Sequence, residues 1–125
     1  MGKWKNNNQH QKMAVWESIV KQNGIVMTVL KNVSRFEYKM RSQIINANDS
    51  VRSNFVEGYY SGYIKEYIRF LKYSRRSGEE LHERVKSLYE LELIEEELFQ
   101  QFETRNRKTN YLIDRTRQSL ELKDD

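Results

Sequence analysis

None of the 125 residues of this chain is proline. A proline inside a helix removes an N–H donor and collides with the preceding turn, at a cost of about 3 kcal/mol. A chain without it can carry long uninterrupted helices. Glycine, the next strongest breaker, occurs five times. Charged residues make up 32% of the chain, which suits helices with solvated outer faces. The length fits one domain and is enough to bury a core unaided. Cysteine is absent, which excludes disulfides and thiolate metal sites.

Apolar periodicity then places four helices. The first is expected over 13–31, where Trp16, Ile19, Asn23, Val26 and Leu30 recur at spacings of three and four. Its segment 25–30 is β-branched enough to pass for a strand, but no other segment resembles a pairing partner. The second is expected over 34–57, with Ser34 and Glu37 forming a capping box and Gly58 closing the C-terminus. Its apolar stripe is Phe36, Met40, Ile44, Ala47, Val51 and Phe55. The third is expected over 62–91, capped by Ser61, with Gly78 letting a neighbouring helix approach closely. The fourth is expected over 95–122, its first turn crowded with Glu95, Glu96 and Glu97. Its inner face is read as Leu98, Phe102, Thr109, Leu112, Thr116 and Leu120, with Arg105 pointing inward too. Four such helices on short turns predict an all-α, up-and-down antiparallel four-helix bundle.

The ends differ from the middle. Residues 1–12 read as a disordered polar tail in which Trp4 alone asks for an apolar partner, and 123–125 as a short acidic end. The first dozen residues lack the apolar stretch of a signal peptide, and no run reaches the ~20 apolar residues of a membrane span. The expectation is a soluble cytoplasmic protein with no membrane association. Net charge is +4, unevenly spread: residues 1–31 hold five lysines against one glutamate, whereas residues 92–125 hold six basic against nine acidic side chains. Such asymmetry suits a polyanion partner or contacts between chains.

One stripe carries the strongest chemistry. Lys65, Arg69, Lys72 and Arg76 share a face of the third helix, with Arg75 beside them and Tyr59, Tyr60, Tyr63 and Tyr73 interspersed. Cations for phosphates and aromatic rings for bases are what single-stranded RNA recognition requires. A solvated helix face is the structural alternative. Tyr59, Tyr60, Tyr63, Tyr73 and Arg105 are also candidates for an oligomer interface, because aromatics exceed what one stripe per helix can bury. Glu79 and His82 have the spacing of half a di-metal carboxylate site. The only other histidine is His10, so no metal and no cofactor are expected. No nucleophile–base set or phosphate loop is present, and the expectation is a protein that is not an enzyme.

The segments Ser42-Gln43-Ile44 and 49–58, reading Asp-Ser-Val-Arg-Ser-Asn-Phe-Val-Glu-Gly, resemble the signature of a bacterial family. These are the four-helix-bundle proteins encoded in intervening sequences of 23S ribosomal RNA genes. The aromatic stretch 67–81, ending in Ser77-Gly78 and Glu80-Leu81, fills the family's next feature. The family's usual proline is Arg52 here. Two basic residues that often follow Ser-Gln-Ile are Ile45 and Asn46, and Arg76 stands where glycine is usual. The resemblance implies a homo-oligomer, a ring-shaped pentamer, linked to ribosomal RNA or other nucleic acid, RNA or DNA. A related branch serves as accessory proteins to the reverse transcriptases of diversity-generating retroelements, which makes a nucleic-acid enzyme an alternative partner. Asn54, Glu57 and Gly58 form the motif's corner, either as a recognition feature at a helix end or as a structural corner in which Gly58 caps the second helix and Asn54 and Glu57 hydrogen-bond backbone in the following loop, setting the angle between the second and third helices.

Overall fold

The computed structural model describes residue 10 and residues 13–124. Four helices, α1 (Ala14–Lys31), α2 (Tyr38–Tyr59), α3 (Ile64–Glu90) and α4 (Glu96–Lys123), make up the described chain. No strand occurs among the described residues, so the β-branched run 25–30 is helical. Its Val26, Val29 and Leu30 point into the core, where packing outweighs the modest helix penalty of branched side chains.

Partner numbers run in opposite directions at every packed seam. Ser50 meets Ser77 while Val51 meets Ser74, Ser18 meets Thr109 while Gln22 meets Asn106, and His82 meets Glu103 while Arg75 meets Asp114. Neighbours are therefore antiparallel, and the bundle is up-and-down. The α2–α3 seam is the most intimate, and the α1–α2 seam the most open.

The interior is two apolar clusters with a polar layer between them. One cluster is built around Val26, Ile44, Leu81, Leu88 and Phe102. The other is built around Ile19, Phe55, Tyr67, Leu71 and Ile113. Between them, Asn106 Nδ2 donates to Gln22 Oε1 at 3.1 Å and to the Gly78 carbonyl at 3.2 Å, and Asn110 Nδ2 donates to Asn106 Oδ1 at 3.2 Å. Ser18 and Thr109 exchange a hydroxyl bond of 2.7 Å in the same layer. Polar groups in a low-dielectric interior are costly out of register, so this layer fixes how the helices slide against one another.

Several expected boundaries move, each for a local reason. The Ser34–Glu37 capping box does not form: α2 begins at Tyr38, and the Glu37 side chain makes no cap bond. Ser34 Oγ instead accepts from the Phe36 amide at 3.2 Å, and Phe36, placed in the core stripe by periodicity, is 92% exposed. Arg41 holds this turn by donating to the carbonyls of Leu30 and Val33, at the unsatisfied end of α1. Gly58 lies inside α2 and does not cap it. Ser61 and Gly62 (φ +87°) make that turn, with Ser61 Oγ donating to the Gly58 carbonyl at 2.7 Å, and Ser61 does not cap α3. The α3–α4 turn closes with Leu93 N donating to Leu88 O across six residues, which puts Glu92 at φ 61°.

Arg105 flanks the α1–α4 seam and donates to Ser18 Oγ at 3.2 Å, whereas Asn106 takes the inward position. On α1, Gln22 occupies the inward place expected of Asn23, which is exposed. Of the expected tail, His10 is described: it is 7% exposed and bonded through Nδ1 to Tyr60 Oη at 2.7 Å. Trp4 and the remaining tail positions lie outside the described residues, as does Asp125.

Candidate nucleic-acid interface

The outer face of α3 is set by the residues it does not bury. Tyr67, Ile68, Leu71, Ser74, Gly78 and Leu81 turn inward, so Lys65, Arg69, Lys72 and Arg76 fall on the opposite, exposed face. At 1.5 Å per residue these cations span about 16 Å. Further along the same face Glu80, Glu83 and Glu90 are exposed, so the cationic character belongs to the N-terminal half of α3.

The four cations differ in their commitments. Arg69 bonds Glu66 at 2.6 Å, and that bond, followed by attraction to the carboxylate, holds its pKa above the ordinary value. Both partners are well exposed, so the pair contributes little to stability. Lys65, Lys72 and Arg76 have no acidic partner among the described residues. The Arg69 guanidinium lies 5.1 Å from the Phe70 ring centre and 5.7 Å from that of Tyr73, and Arg76 lies 5.8 Å from Tyr73. Two cations thus bracket one tyrosine whose ring is edge-on to Phe70. An aromatic ring beside a cation without an acidic partner, as Tyr73 is beside Arg76, suits stacking of a base with its phosphate held nearby.

Arg75, grouped with this stripe by sequence, belongs elsewhere. It points toward α4, where Nε bonds Asp114 at 3.0 Å and Nη1 bonds Glu79 at 2.6 Å. Partial burial works against its charge, but these two bonds outweigh it and hold its pKa above the ordinary value. It lines a cleft of about 370 Å³ between α3 and α4, together with Glu79, His82, Glu103, Asn106, Arg107, Asn110, Tyr111 and Asp114. His82 Nε2 and Glu103 are 3.0 Å apart there, and that bond keeps Glu103 below the usual carboxylate value. Glu79 and His82 both line this cleft, and among the described residues no group of three potential ligands is arranged to hold a metal ion.

The tyrosines also separate by role. Tyr59 is core, packed against Phe55, Tyr60 and Tyr67, so it does not supply an outer surface of this chain. Burial raises its pKa, with a further push from Tyr60, and burial also carries Tyr67 well above the ordinary tyrosine range. Tyr60 is 40% and Tyr63 67% exposed, near the N-terminal end of the stripe.

The motif corner is a packing device. Ser50, Asn54 and Gly58 lie four residues apart on the side of α2 that faces α3. Ser50 Oγ bonds Ser77 Oγ at 2.9 Å, and Asn54 Nδ2 donates back to Ser50 O at 2.9 Å. A Cβ at Gly58 would stand 2.7 Å from Phe70 Cβ. The expectation that Asn54 and Glu57 bond the following loop is corrected: Asn54 bonds the preceding turn of its own helix, and Glu57 is exposed without a bond among the described residues.

This ridge and the cationic stripe fall within residues 11–115, which match the family described as 23S rRNA-intervening sequence protein. The chain belongs to that family. No curated protein and no solved structure matches it. In this member of the 23S rRNA-intervening sequence proteins, Ser50 and Gly58 meet α3 directly, and Asn54 bonds Ser50 from the next turn of α2. His10 lies just before the matched span.

A third feature was not legible as a site. Val20, Met27 and Ile45, each close to half exposed, line a groove of about 460 Å³ along the open α1–α2 seam. Periodicity shows which residues are apolar but not which seam stays open. No helix among the described residues is long and apolar enough to cross a membrane.

Proposed function

We propose that this protein is a non-catalytic, self-associating bundle that engages RNA through the cationic face of the N-terminal half of α3. The observation that carries the reading is the trio Lys65, Lys72 and Arg76, exposed and without acidic partners among the described residues, with Arg76 set beside the Tyr73 ring. A structural surface helix usually neutralises such a row with carboxylates three or four residues away, as Arg84 does with Glu80 and Arg117 with Glu121 on this chain. The family's tie to ribosomal RNA genes points the same way. Fluorescence anisotropy of a labelled single-stranded RNA against the wild type and a Lys65, Arg69, Lys72, Arg76 quadruple alanine variant tests it. Loss of binding in the variant with an unchanged helical spectrum is the expected result; equal binding by the two proteins overturns it.

A second reading makes the bundle a protein-binding accessory, for example to a reverse transcriptase, and the groove along the α1–α2 seam is where the two readings differ. An apolar groove between two loosely packed helices accepts a partner helix. We assign the seam to a second copy of this chain, in line with the ring that the family resemblance implies. Light scattering of the wild type and of Met27→Glu distinguishes the two: a multimer that the charge dissociates supports self-assembly, and a wild-type monomer at micromolar concentration returns the seam to a foreign partner.

A further inference from the structure

We infer that the end of the bundle formed by the α1–α2 and α3–α4 turns docks onto the same end of a second copy, in a two-fold, end-to-end pair. Both turns lie at this end, because α1 and α3 run into it and α2 and α4 run out of it. Val33 of the first turn and Ile94 of the second share one apolar cluster there. The two turns carry opposite charge. The α1–α2 turn presents Lys31, Arg35 and Lys39, all exposed, against the partly buried Glu37. The α3–α4 turn presents Glu90, Glu92, Glu95, Glu96 and Glu97, all exposed, and no basic residue occurs between Lys86 and Arg105.

None of these cations and none of these glutamates makes an ion pair among the described residues, although the opposite sign stands on the neighbouring turn. Elsewhere on its surface the chain neutralises itself, as in Arg52 with Asp49, Arg84 with Glu80 and Arg107 with Glu103. A second copy turned by half a revolution about an axis at this end sets each cationic turn on the other copy's acidic turn. Both contacts are then attractive at once. Apolar side chains alternate with the charges: Phe36 is 92%, Tyr38 74% and Leu91 58% exposed. Phe36 is held out by a fixed turn, in which Ser34 Oγ accepts from its amide and Arg41 donates to the Leu30 and Val33 carbonyls. A ring already fixed in place loses little freedom on docking. The apolar anchors supply affinity, and the charges around them fix the orientation.

The cationic stripe lies on the N-terminal half of α3, toward the opposite end of a helix of 27 residues, about 40 Å long. The pair therefore leaves both stripes free near its far ends. On the RNA reading it offers a strand two cationic faces, and linked sites of that kind bind more tightly than either alone. The contact itself does not depend on RNA, nor on the α1–α2 seam.

Light scattering of the Met27→Glu chain, whose seam is charged, reads the end contact alone. A dimer is expected at about 100 μM protein and low salt, falling to monomer at about 0.5 M salt. Two sets of charge reversals in that chain then test the turns. Arg35→Glu with Lys39→Glu makes both turns acidic. Glu90→Lys, Glu92→Lys and Glu95→Lys together make both turns basic. Position 39 in the first turn of α2 and position 90 in the last turn of α3 are where the helix dipole favours the new sign, so the fold tolerates the changes. Each reversed chain is expected to be a monomer with an unchanged helical spectrum, and an equimolar mixture of the two is expected to restore the dimer. A Met27→Glu chain that is monomeric at low salt, a dimer indifferent to salt, or a mixture that stays monomeric would overturn the end-to-end pair. A wild-type multimer that Met27→Glu takes to monomer sinks this inference and leaves the seam reading standing. The same salt-sensitive dimer from wild type and Met27→Glu does the reverse.

Discussion

Gly78 of α3 and Asn110 of α4 lie so close that a methyl group at position 78 would overlap the Asn110 carboxamide oxygen. Asn110 is held in place by its bond to Asn106, which in turn bonds Gln22 and the Gly78 carbonyl. The contact thus sits at the polar layer that separates the two apolar clusters. Gly78→Ala gains helix propensity of up to about 1 kcal/mol, but overpacking typically costs about 1–3 kcal/mol. The expected outcome is net destabilisation of about 1–2 kcal/mol by urea unfolding. In an Asn110→Ala background the methyl has space, and the same substitution should stabilise by about 0.5–1 kcal/mol. Equal effects in the two backgrounds would show that the two side chains do not couple.

Glycines 24 and 58 are both helical, yet they should respond in opposite directions. Nothing lies within 4 Å of a Cβ at Gly24, whereas one at Gly58 meets Phe70 Cβ at 2.7 Å and Tyr67 Cα at 3.3 Å. Atoms that close to the backbone cannot step aside as a flexible side-chain end can. Gly24→Ala should stabilise by about 0.5–1 kcal/mol, and Gly58→Ala should destabilise by about 1–3 kcal/mol. Thermal unfolding of the two variants reads the sign directly.

Glu92 sits in the left-handed region at φ 61°, where a Cβ is strained. Its position follows from the turn that links α3 to α4, closed by the Leu93 to Leu88 backbone bond of 2.9 Å. Glu92→Gly relieves the strain and should raise stability by about 1 kcal/mol despite the greater freedom glycine gives the unfolded chain. A destabilised variant would mean that the turn is held by the glutamate side chain.

His10 gives the fold a pH dependence. Its ring is surrounded by Trp16, Tyr59 and Tyr60, with centroids 4.6, 5.8 and 5.3 Å away. Burial among uncharged rings lowers its pKa below the ordinary histidine value of about 6.5. The unfolded chain therefore takes up this proton more readily than the folded one. The docking of His10 is fully stabilising above about pH 6.5 and is lost as pH falls through the lower folded value. Wild type should lose more stability than His10→Phe between about pH 7.5 and pH 5, by urea unfolding. Parallel losses would place the imidazole in water.

These predictions mark where the sequence was readable. The three-and-four spacing of residues such as Ile44, Val51 and Phe55, or Leu81, Val85 and Leu88, located the helices, because burial follows that period. The cations of the stripe were legible for the same reason, as the residues opposite the buried ones. The polar layer was not, because Ser18, Gln22, Asn106 and Asn110 register as gaps in an apolar pattern although they occupy core positions. The available signal was two asparagines four residues apart between Phe102 and Ile113. The capping box at Ser34 failed for a different reason: Arg41, seven residues along, claims the α1 carbonyls and fixes the turn, which no local signature encodes. Arg75 was misplaced because helical angle alone cannot reveal that Asp114, 39 residues away, pulls it to the next face.

The central claim is that Lys65, Arg69, Lys72 and Arg76 meet phosphates. The most direct measurement is the salt dependence of single-stranded RNA binding by the wild type and the quadruple alanine variant. Four phosphate contacts on a single strand give a log–log slope of about −3. The account predicts that slope for the wild type, and for the variant at least tenfold weaker binding with a slope near zero. An unchanged affinity and slope in a folded variant would contradict it.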